Sequence, residues 1–167
     1  MPTCTVMVGL PATGKSTLIQ RMISEDTWIY STDMYIDTVA EDNGITYNEA
    51  FSLNIKAATE FNERKLNSIV TLRKDVIWDQ TNLGVGKRRK IINRMRNAGY
   101  RVECECILLP AGDSQWEDWQ HRMASRPGKT IPDHVIESMM DSFVRPTVDE
   151  GFDAVRCYDM YGNRISD

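Results

Sequence analysis

The chain has 167 residues, of which 41% are hydrophobic and 26% charged, so it is too apolar for a disordered protein. This length suits one folded domain, which we expect to span residues 1–167. The net charge of −4 provides no overall basic surface. Any nucleic acid partner would therefore have to bind a local cluster of Lys and Arg.

Short apolar, β-rich runs alternate along the chain with segments of helical periodicity. This alternation predicts an α/β protein with a parallel sheet of about five strands flanked by helices. The predicted strands are residues 3–8, 28–31, 75–79, 101–109 and 154–158. The predicted helices are residues 15–23, 33–42, 47–70, 84–98, 114–125 and 132–143.

The segment GLPATGKS at residues 9–16 joins the first predicted strand to the first predicted helix. It matches the complete P-loop pattern, in which glycines let backbone N–H groups and the helix N-terminus surround phosphate oxygens. Lys15 is placed to neutralise the β- and γ-phosphates of a nucleoside triphosphate, and the Ser16 hydroxyl to ligate Mg²⁺. The motif leaves open whether the terminal phosphoryl goes to water, a small molecule or a polymer. The residues expected to contact the nucleotide are Gly9, Pro11, Ala12, Thr13, Gly14, Lys15, Ser16 and Thr17.

Polar residues follow two predicted strands, at the carboxyl edge where ligands bind in open α/β sheets. Asp33 comes after the second strand, and it acts either as a general base towards an acceptor hydroxyl or, with Thr32, as a helix cap. Asp79 ends the third strand, and it either holds the metal through water or orients the acceptor. Asn82 is a candidate for the acceptor site or for capping the next helix.

Two groups of basic residues are candidates for phosphate contacts. Arg122 and Arg126 lie one helical turn apart before a Pro-Gly break at residues 127–128, so they either clamp a triphosphate or complement the helix dipole. The helix at residues 84–98 has basic residues around an apolar face, which suits a solvated surface or a phosphate-binding one. These basic residues are Lys87, Arg88, Arg89, Lys90, Arg94 and Arg96.

The cysteines and the hydropathy pattern indicate an intracellular setting. The spacing of the four cysteines matches neither a zinc finger nor a disulfide framework, so we expect reduced, structural thiols. The sequence has no secretory signal pattern and no apolar run near the roughly 18 residues of a membrane span. We therefore expect a cytoplasmic protein without a membrane partner.

Taken together, these motifs resemble the kinase domain of the polynucleotide 5′-hydroxyl kinases, within the zeta-toxin-like group of P-loop kinases. The resemblance covers nearly the whole chain and implies a P-loop kinase fold with a helical lid at about residues 122–131. Its matching segments are residues 9–16, Asp33 with Tyr35, Asp79-x-Thr81-Asn82, Arg122 with Arg126, Ile131-Pro132 and residues 143–152.

The resemblance also implies a role for individual residues. Lys15 and Ser16 would bind ATP and Mg²⁺, Asp33 would be the general base, and Arg122 and Arg126 would stabilise the transferred phosphoryl. The acceptor would be DNA or RNA, most simply a 5′-hydroxyl end. The residues expected to contact the acceptor are Asp33, Tyr35, Asp79, Thr81, Asn82 and Arg88.

One position departs from the family pattern. Phage members of the family have an arginine three residues after the base that contacts the acceptor's 3′-phosphate, and this chain has Ile36 there. Because isoleucine cannot replace a charge-assisted contact, other acceptors stay open. One is 5-hydroxymethyluracil within DNA, whose base would be flipped out, and another is a small molecule or nucleotide. A P-loop ATPase or nucleotide-dependent switch is the remaining alternative.

Overall fold

The computed structural model describes residues 1–126 and 129–166. In this part of the chain the strands are β1 (Thr3–Val8), β2 (Thr27–Tyr30), β3 (Asp75–Trp78), β4 (Arg101–Ile107), β5 (Ala154–Tyr158) and β6 (Arg164–Ile165). The helices are α1 (Lys15–Met22), α2 (Thr32–Asn43), α3 (Tyr47–Thr71), α4 (Val85–Asn97), α5 (Gly112–Ala124) and α6 (Asp133–Ser142). A short 3₁₀ helix, Val148–Glu150, precedes β5.

The strands form one sheet in the order β2-β3-β1-β4-β5-β6. The first five strands along the chain pair in parallel, and β6 pairs antiparallel with β5. The predicted α/β class with a largely parallel sheet is thus confirmed, and the short edge strand β6 is an addition to it. Because β1 lies between β3 and β4, the crevice beyond the carboxyl end of β1 is a switch point of the kind where α/β proteins bind ligands.

Helices cover both faces of the sheet. Alternate side chains of β1 point to opposite faces, so Cys4, Val6 and Val8 pack in one buried cluster and Met7 in another. The first cluster includes residues of α3 and α4, and the second includes residues of α1 and α5. This arrangement explains the apolar residues on both faces of β1, the strand in the middle of the parallel sheet.

A helical hairpin formed by α2 and α3 stands beside the sheet. Ser31 caps α2 by accepting a hydrogen bond from the Met34 N–H at 3.4 Å. Gly44 ends α2 at φ 63°, a left-handed conformation that favours glycine, and Thr46 then starts α3 with a capping box. The two helices share a small apolar cluster of their own, which includes Ile36.

The four cysteines are all buried thiols, as the sequence predicts for structural residues. Within the described ranges, no helix combines the length and the apolar character needed to cross a membrane.

Arg88 departs from the expectation of a surface cation that contacts the acceptor. Its side chain on α4 is fully buried and forms an ion pair with Glu150, with Nε–Oε1 and Nη2–Oε2 distances of 2.8 and 3.0 Å. The remaining guanidinium nitrogen, Nη1, donates to the carbonyls of Asn82 and Leu83 at 3.0 and 2.8 Å. Arg88 therefore fixes the loop after β3 from inside the protein, because its whole hydrogen-bonding capacity faces inward.

We predict that Arg88→Met lowers the free energy of unfolding by about 3–5 kcal/mol, since it leaves the Glu150 carboxylate without its buried partner. Urea denaturation measures this loss. The matched control is Arg89→Met, at the exposed neighbouring position on α4, which should change the free energy by less than about 0.5 kcal/mol. Equal unfolding midpoints for the two variants would contradict the structural role of Arg88.

Candidate active site

The P-loop connects β1 to α1 at the carboxyl edge of the sheet. Gly14 precedes α1 at φ 107° and offers no side chain to cap it, so the first N–H groups of the helix are open to an anion. The Thr13 hydroxyl donates to the Leu10 carbonyl at 2.7 Å and closes the loop on itself. A Cβ atom added at Gly9 would lie only 3.2 Å from Thr13 Oγ1, so this position is crowded for any side chain. The predicted phosphate cradle thus has the expected local geometry.

Three hydrogen bonds from outside the loop hold it and its strand in place. The Gly9 N–H donates to the Thr81 carbonyl at 3.0 Å, and the Trp119 indole N–H donates to the Pro11 carbonyl at 2.9 Å. Asn82 Nδ2 donates to the Met7 carbonyl at 2.8 Å. The segment after β3 and helix α5 therefore both position the loop.

Lys15 is the first residue of α1 and reaches back over the loop. Its Nζ donates to the carbonyls of Gly9 and Leu10 at 2.9 and 3.1 Å. Burial lowers the pKa of the Lys15 ammonium to about 8, against the opposing charges of Asp79 and Asp33. The Lys15 ammonium is thus still mostly charged at neutral pH, and a bound phosphate would favour its charged form further.

A cleft of about 930 Å³ opens above the carboxyl edge of the sheet. This volume lies at the upper end of the roughly 300–1,000 Å³ typical of ligand pockets. Several of the predicted site residues line it together. They are Pro11, Ala12, Thr13, Gly14, Lys15, Ser16, Thr17, Asp33, Asp79, Thr81, Arg122 and Arg126.

Asp33 lies in the first turn of α2 and is exposed to the cleft. Ser31 caps this helix, so the alternative role of Asp33 as the helix cap does not apply. The Asp33 carboxylate instead accepts a hydrogen bond from the Tyr47 hydroxyl at the start of α3. Its carboxylate is therefore oriented beside the cleft, where a general base would have to be.

Asp79 directly follows β3, and its N–H donates to the Tyr30 carbonyl of β2 at 2.8 Å. Burial raises the pKa of the Asp79 carboxyl above its ordinary value, while the charge of Lys15 and a hydrogen bond from Ser31 act against that rise. A negative charge at this position is costly without a cation, so Asp79 would be stabilised by Lys15 or by a metal.

The residues around Ser16 and Asp79 fit a magnesium ion that arrives with its nucleotide. A Ser16 hydroxyl at the helix start and the partly buried Asp79 carboxylate are hard oxygen donors on the same cleft. Among the described residues, no group of three or more His, Cys, Asp and Glu could hold a metal by itself. Phosphate oxygens would therefore have to supply part of the coordination.

The two predicted lid arginines lie on or just after α5. Arg122 Nη1 donates to the Met160 carbonyl at 2.9 Å, and its guanidinium stands 5.7 Å from the Tyr161 ring centroid. Arg126 lines the same cleft, near enough to Lys15 and to Tyr47 for its charge to act on both. The predicted hinge at Pro127 and Gly128 falls outside the described residues.

Three positions named from the sequence lie away from the cleft. Tyr35 packs on the apolar cluster of the α2–α3 hairpin and its ring lies 5.1 Å from that of Phe61. Asn82 is fully buried, so it holds β1 rather than an acceptor. Ile36 is likewise fully buried in the hairpin cluster, so this position contributes no charge to the cleft.

The structure adds site residues that the sequence reasoning missed. Lys129 Nζ pairs with the Asp37 carboxylate at 2.9 Å and stands 4.6 Å from the Tyr47 ring centroid. Asn48 Nδ2 donates to the Thr130 carbonyl at 3.2 Å. These contacts join the segment after the lid to the α2–α3 hairpin. The only sequence signal for them was the one-turn spacing of Asp33 and Asp37, which places both carboxylates on one face of α2.

Comparisons with known proteins agree with this architecture. A family model described as an AAA domain matches residues 5–146, and no curated protein matches the chain. A chain of the PezAT chromosomal toxin–antitoxin system of Streptococcus pneumoniae is 17% identical over 100% of this chain and 72% of its own, with a TM-score of 0.63. A candidate kinase from Chloroflexus aurantiacus is 19% identical over 95% of this chain and 88% of its own, with a TM-score of 0.67.

A third solved structure, a sugar kinase from a Janibacter species, is 16% identical over 96% of this chain and 87% of its own, with a TM-score of 0.58. At these identities the likenesses show a shared fold. The family model covers most of the chain, from within β1 to beyond α6. The chain therefore belongs to the AAA domain family and has the fold of the P-loop kinases.

Proposed function

We propose that this protein is an ATP-dependent kinase that transfers the terminal phosphoryl group to a hydroxyl. The proposal depends on one observation: a complete P-loop and an oriented carboxylate, Asp33, line the same cleft. A protein that only bound ATP would have no need of a carboxylate oriented beside the phosphate site, and the labelling experiment below distinguishes transfer to a hydroxyl from transfer to water. Lys15 and Arg126 supply positive charge between the two halves.

In the reaction, Asp33 accepts the proton of the acceptor hydroxyl as the new O–P bond forms. The bond between the γ-phosphorus and the bridging oxygen breaks, and ADP leaves. Lys15 and Arg126 offset the charge on the transferred group, and Arg122 steadies the Met160 side of the cleft. Ser16 and Asp79 would hold a magnesium ion together with the phosphates, and that ion would supply additional neutralisation of phosphate charge.

For the acceptor we propose a hydroxyl on nucleic acid, most simply a 5′-hydroxyl end. The acceptor half of the cleft combines the aromatic rings of Tyr47 and Phe51 with the cation Lys129, and Arg126 lies between the two halves. Phe51 keeps 42% of its surface exposed, so a nucleobase could stack on it. Rings next to cations are typical of sites that bind single-stranded nucleic acid.

A hydroxymethylated base within DNA is a second candidate, and one contact favours it. Lys129 is already paired with Asp37, so this cation is less suited to clamp the phosphate next to a strand end. A flipped base that carries its own hydroxyl needs a stacking surface beside Asp33 and no such clamp. One structural neighbour is described as a sugar kinase, and a small polyhydroxy acceptor is the third class to be tested.

The acceptor is identified by incubating the protein with γ-labelled ATP and four acceptors in separate reactions. These are a 5′-hydroxyl oligonucleotide, a duplex containing 5-hydroxymethyluracil, a mixture of nucleosides and a mixture of monosaccharides. Label in one acceptor assigns its class. Label in free phosphate alone, in all four reactions, would contradict the kinase proposal and favour an ATPase.

We predict that Asp33→Ala lowers kcat on the true acceptor by about 10²- to 10⁴-fold, because the acceptor hydroxyl loses its general base. Initial rates of label transfer measure the effect. Asp42→Ala, an exposed carboxylate later in the same helix, is the matched control and should keep the wild-type rate. Near-normal turnover of Asp33→Ala would show that another group removes the proton.

Arg126→Lys should reduce kcat at least about tenfold although the charge is kept, because an ammonium cannot reproduce the planar fork of a guanidinium around a phosphoryl group. The same label-transfer assay measures the effect, with Arg89→Lys on α4 as the control for a general change of arginine to lysine. Full activity of Arg126→Lys would leave Arg126 with a purely structural role.

ATP affinity should weaken as the pH rises above about 8. Burial lowers the pKa of Lys15 to about 8, so at higher pH binding requires that Lys15 regain its proton. The dissociation constant should then rise by up to about tenfold per pH unit between roughly pH 8 and 10. Lys15→Arg keeps its proton throughout, so titration calorimetry should show a much flatter dependence for it. Parallel curves for the two proteins would contradict the assignment to Lys15.

A further inference from the structure

Tyr47 contacts the candidate base directly, although it lies 14 positions further along the chain. Its hydroxyl donates a hydrogen bond to Asp33 Oδ1. The position of Tyr47 is set by the start of α3, where the Thr46 hydroxyl accepts from the Glu49 N–H and the Glu49 carboxylate accepts from the Thr46 N–H. The hydroxyl is thus presented by a capped helix end and not by a loose loop.

The ring of Tyr47 is held independently of its hydroxyl. Lys129 Nζ lies 4.6 Å from the ring centroid, and the ring of Phe51 lies 6.1 Å away on the next turn of α3. Lys129 is itself anchored by Asp37 at 2.9 Å. Removing the hydroxyl alone should therefore leave the ring, and the packing around it, where they are.

We propose that Tyr47 is a positioning residue for the phosphoryl transfer, and that its hydroxyl fixes Asp33 so that Oδ2 is the oxygen that takes the proton from the acceptor. This inference rests on the proposed kinase function. An exposed aspartate otherwise rotates about its side-chain torsions, and each unproductive orientation lowers the rate. A hydrogen bond to one carboxylate oxygen removes most of that freedom before the acceptor binds.

The proton affinity of the Tyr47 phenol makes it the donor in this hydrogen bond. Burial, the hydrogen bond to Asp33 and the nearby charges of Asp33 and Asp37 all raise the pKa of the Tyr47 phenol above its ordinary value. Arg126 opposes this rise without cancelling it. Tyr47 therefore stays protonated at physiological pH and acts as a donor to the base, so it does not compete with Asp33 for the proton.

The kinetic test uses Tyr47→Phe, which removes the hydroxyl and keeps the ring. We expect kcat on the identified acceptor to fall by about 10- to 100-fold, with the KM for ATP and the thermal midpoint unchanged. The matched control is Tyr35→Phe, which removes a hydroxyl from the same hairpin but outside the cleft, and it should retain wild-type kinetics. Unchanged kcat in Tyr47→Phe would overturn the proposal.

A double-substitution cycle shows whether Tyr47 acts through Asp33 or independently of it. If Tyr47 acts through Asp33, adding Tyr47→Phe to Asp33→Asn should cost no further activity, because the carboxylate that the hydroxyl orients is already gone. A second loss of similar size in that background would overturn the proposal. Should Asp33→Asn instead retain full activity, the general-base assignment itself fails, and this outcome is recognised by the single substitution alone.

A measurement without any acceptor completes the test. In the proton NMR spectrum of the free protein, the hydrogen-bonded Tyr47 hydroxyl should give a downfield resonance that is absent in Tyr47→Phe and lost or shifted in Asp33→Ala. The same resonance should persist in Tyr35→Phe. A spectrum in which Asp33→Ala leaves every hydroxyl resonance in place would overturn the proposed contact, whatever the acceptor is.

Discussion

The hydrogen bond from the Gly9 N–H to the Thr81 carbonyl is the constraint on which the geometry of the cleft depends. It fixes the start of the P-loop to the segment that follows β3. Arg88 in turn donates a hydrogen bond to the Asn82 carbonyl of that segment, and its ion pair with Glu150 is buried in the protein. The position of the phosphate cradle is thus set by charges that no ligand touches, since the network is removed from solvent and therefore rigid.

One half of the cleft is lined by positively charged groups and the other half by carboxylates. The loop half has helix N–H groups, Lys15 and Arg122, all of which attract phosphate oxygens, and Arg126 lies between the two halves. The other half has the carboxylates of Asp33 and Asp37, the second of which is neutralised by Lys129. Phosphate oxygens are therefore favoured on the loop half of the cleft and disfavoured beside the carboxylates.

Most of the fold could be predicted from the sequence, because apolar periodicity and local caps determine it. The predicted strands 3–8 and 154–158 have the observed bounds, and the other strands differ by one or two residues. β6 was missed because two residues carry no periodic signal. The P-loop was equally accessible, since its geometry is built from eight consecutive residues whose types directly reflect phosphate binding.

The remaining site residues depend on contacts between distant parts of the chain, which one sequence does not reveal. Arg88 shares a helix face with the buried Ile92 and Met95, yet only its partner Glu150, 62 positions away, explains how a guanidinium can be buried there. Tyr47 belongs to no motif. It lies beside Asp33 because the turn at Gly44 folds α3 back onto α2. Tyr35 was named as an acceptor contact because it belongs to a matching motif. A motif does not specify which side of a helix faces the ligand, and the Tyr35 side chain packs on the hairpin cluster.

The α2–α3 hairpin has its own apolar cluster, separate from those that pack on the sheet. Substitutions on its cleft-facing side leave the strands and the P-loop untouched, because none of these residues helps to hold the sheet together. If the proposed kinase function holds, related proteins can therefore change the acceptor side of the cleft while the P-loop side stays the same. In evolutionary terms, the hairpin is the part of this architecture where new substrate preferences cost the least stability.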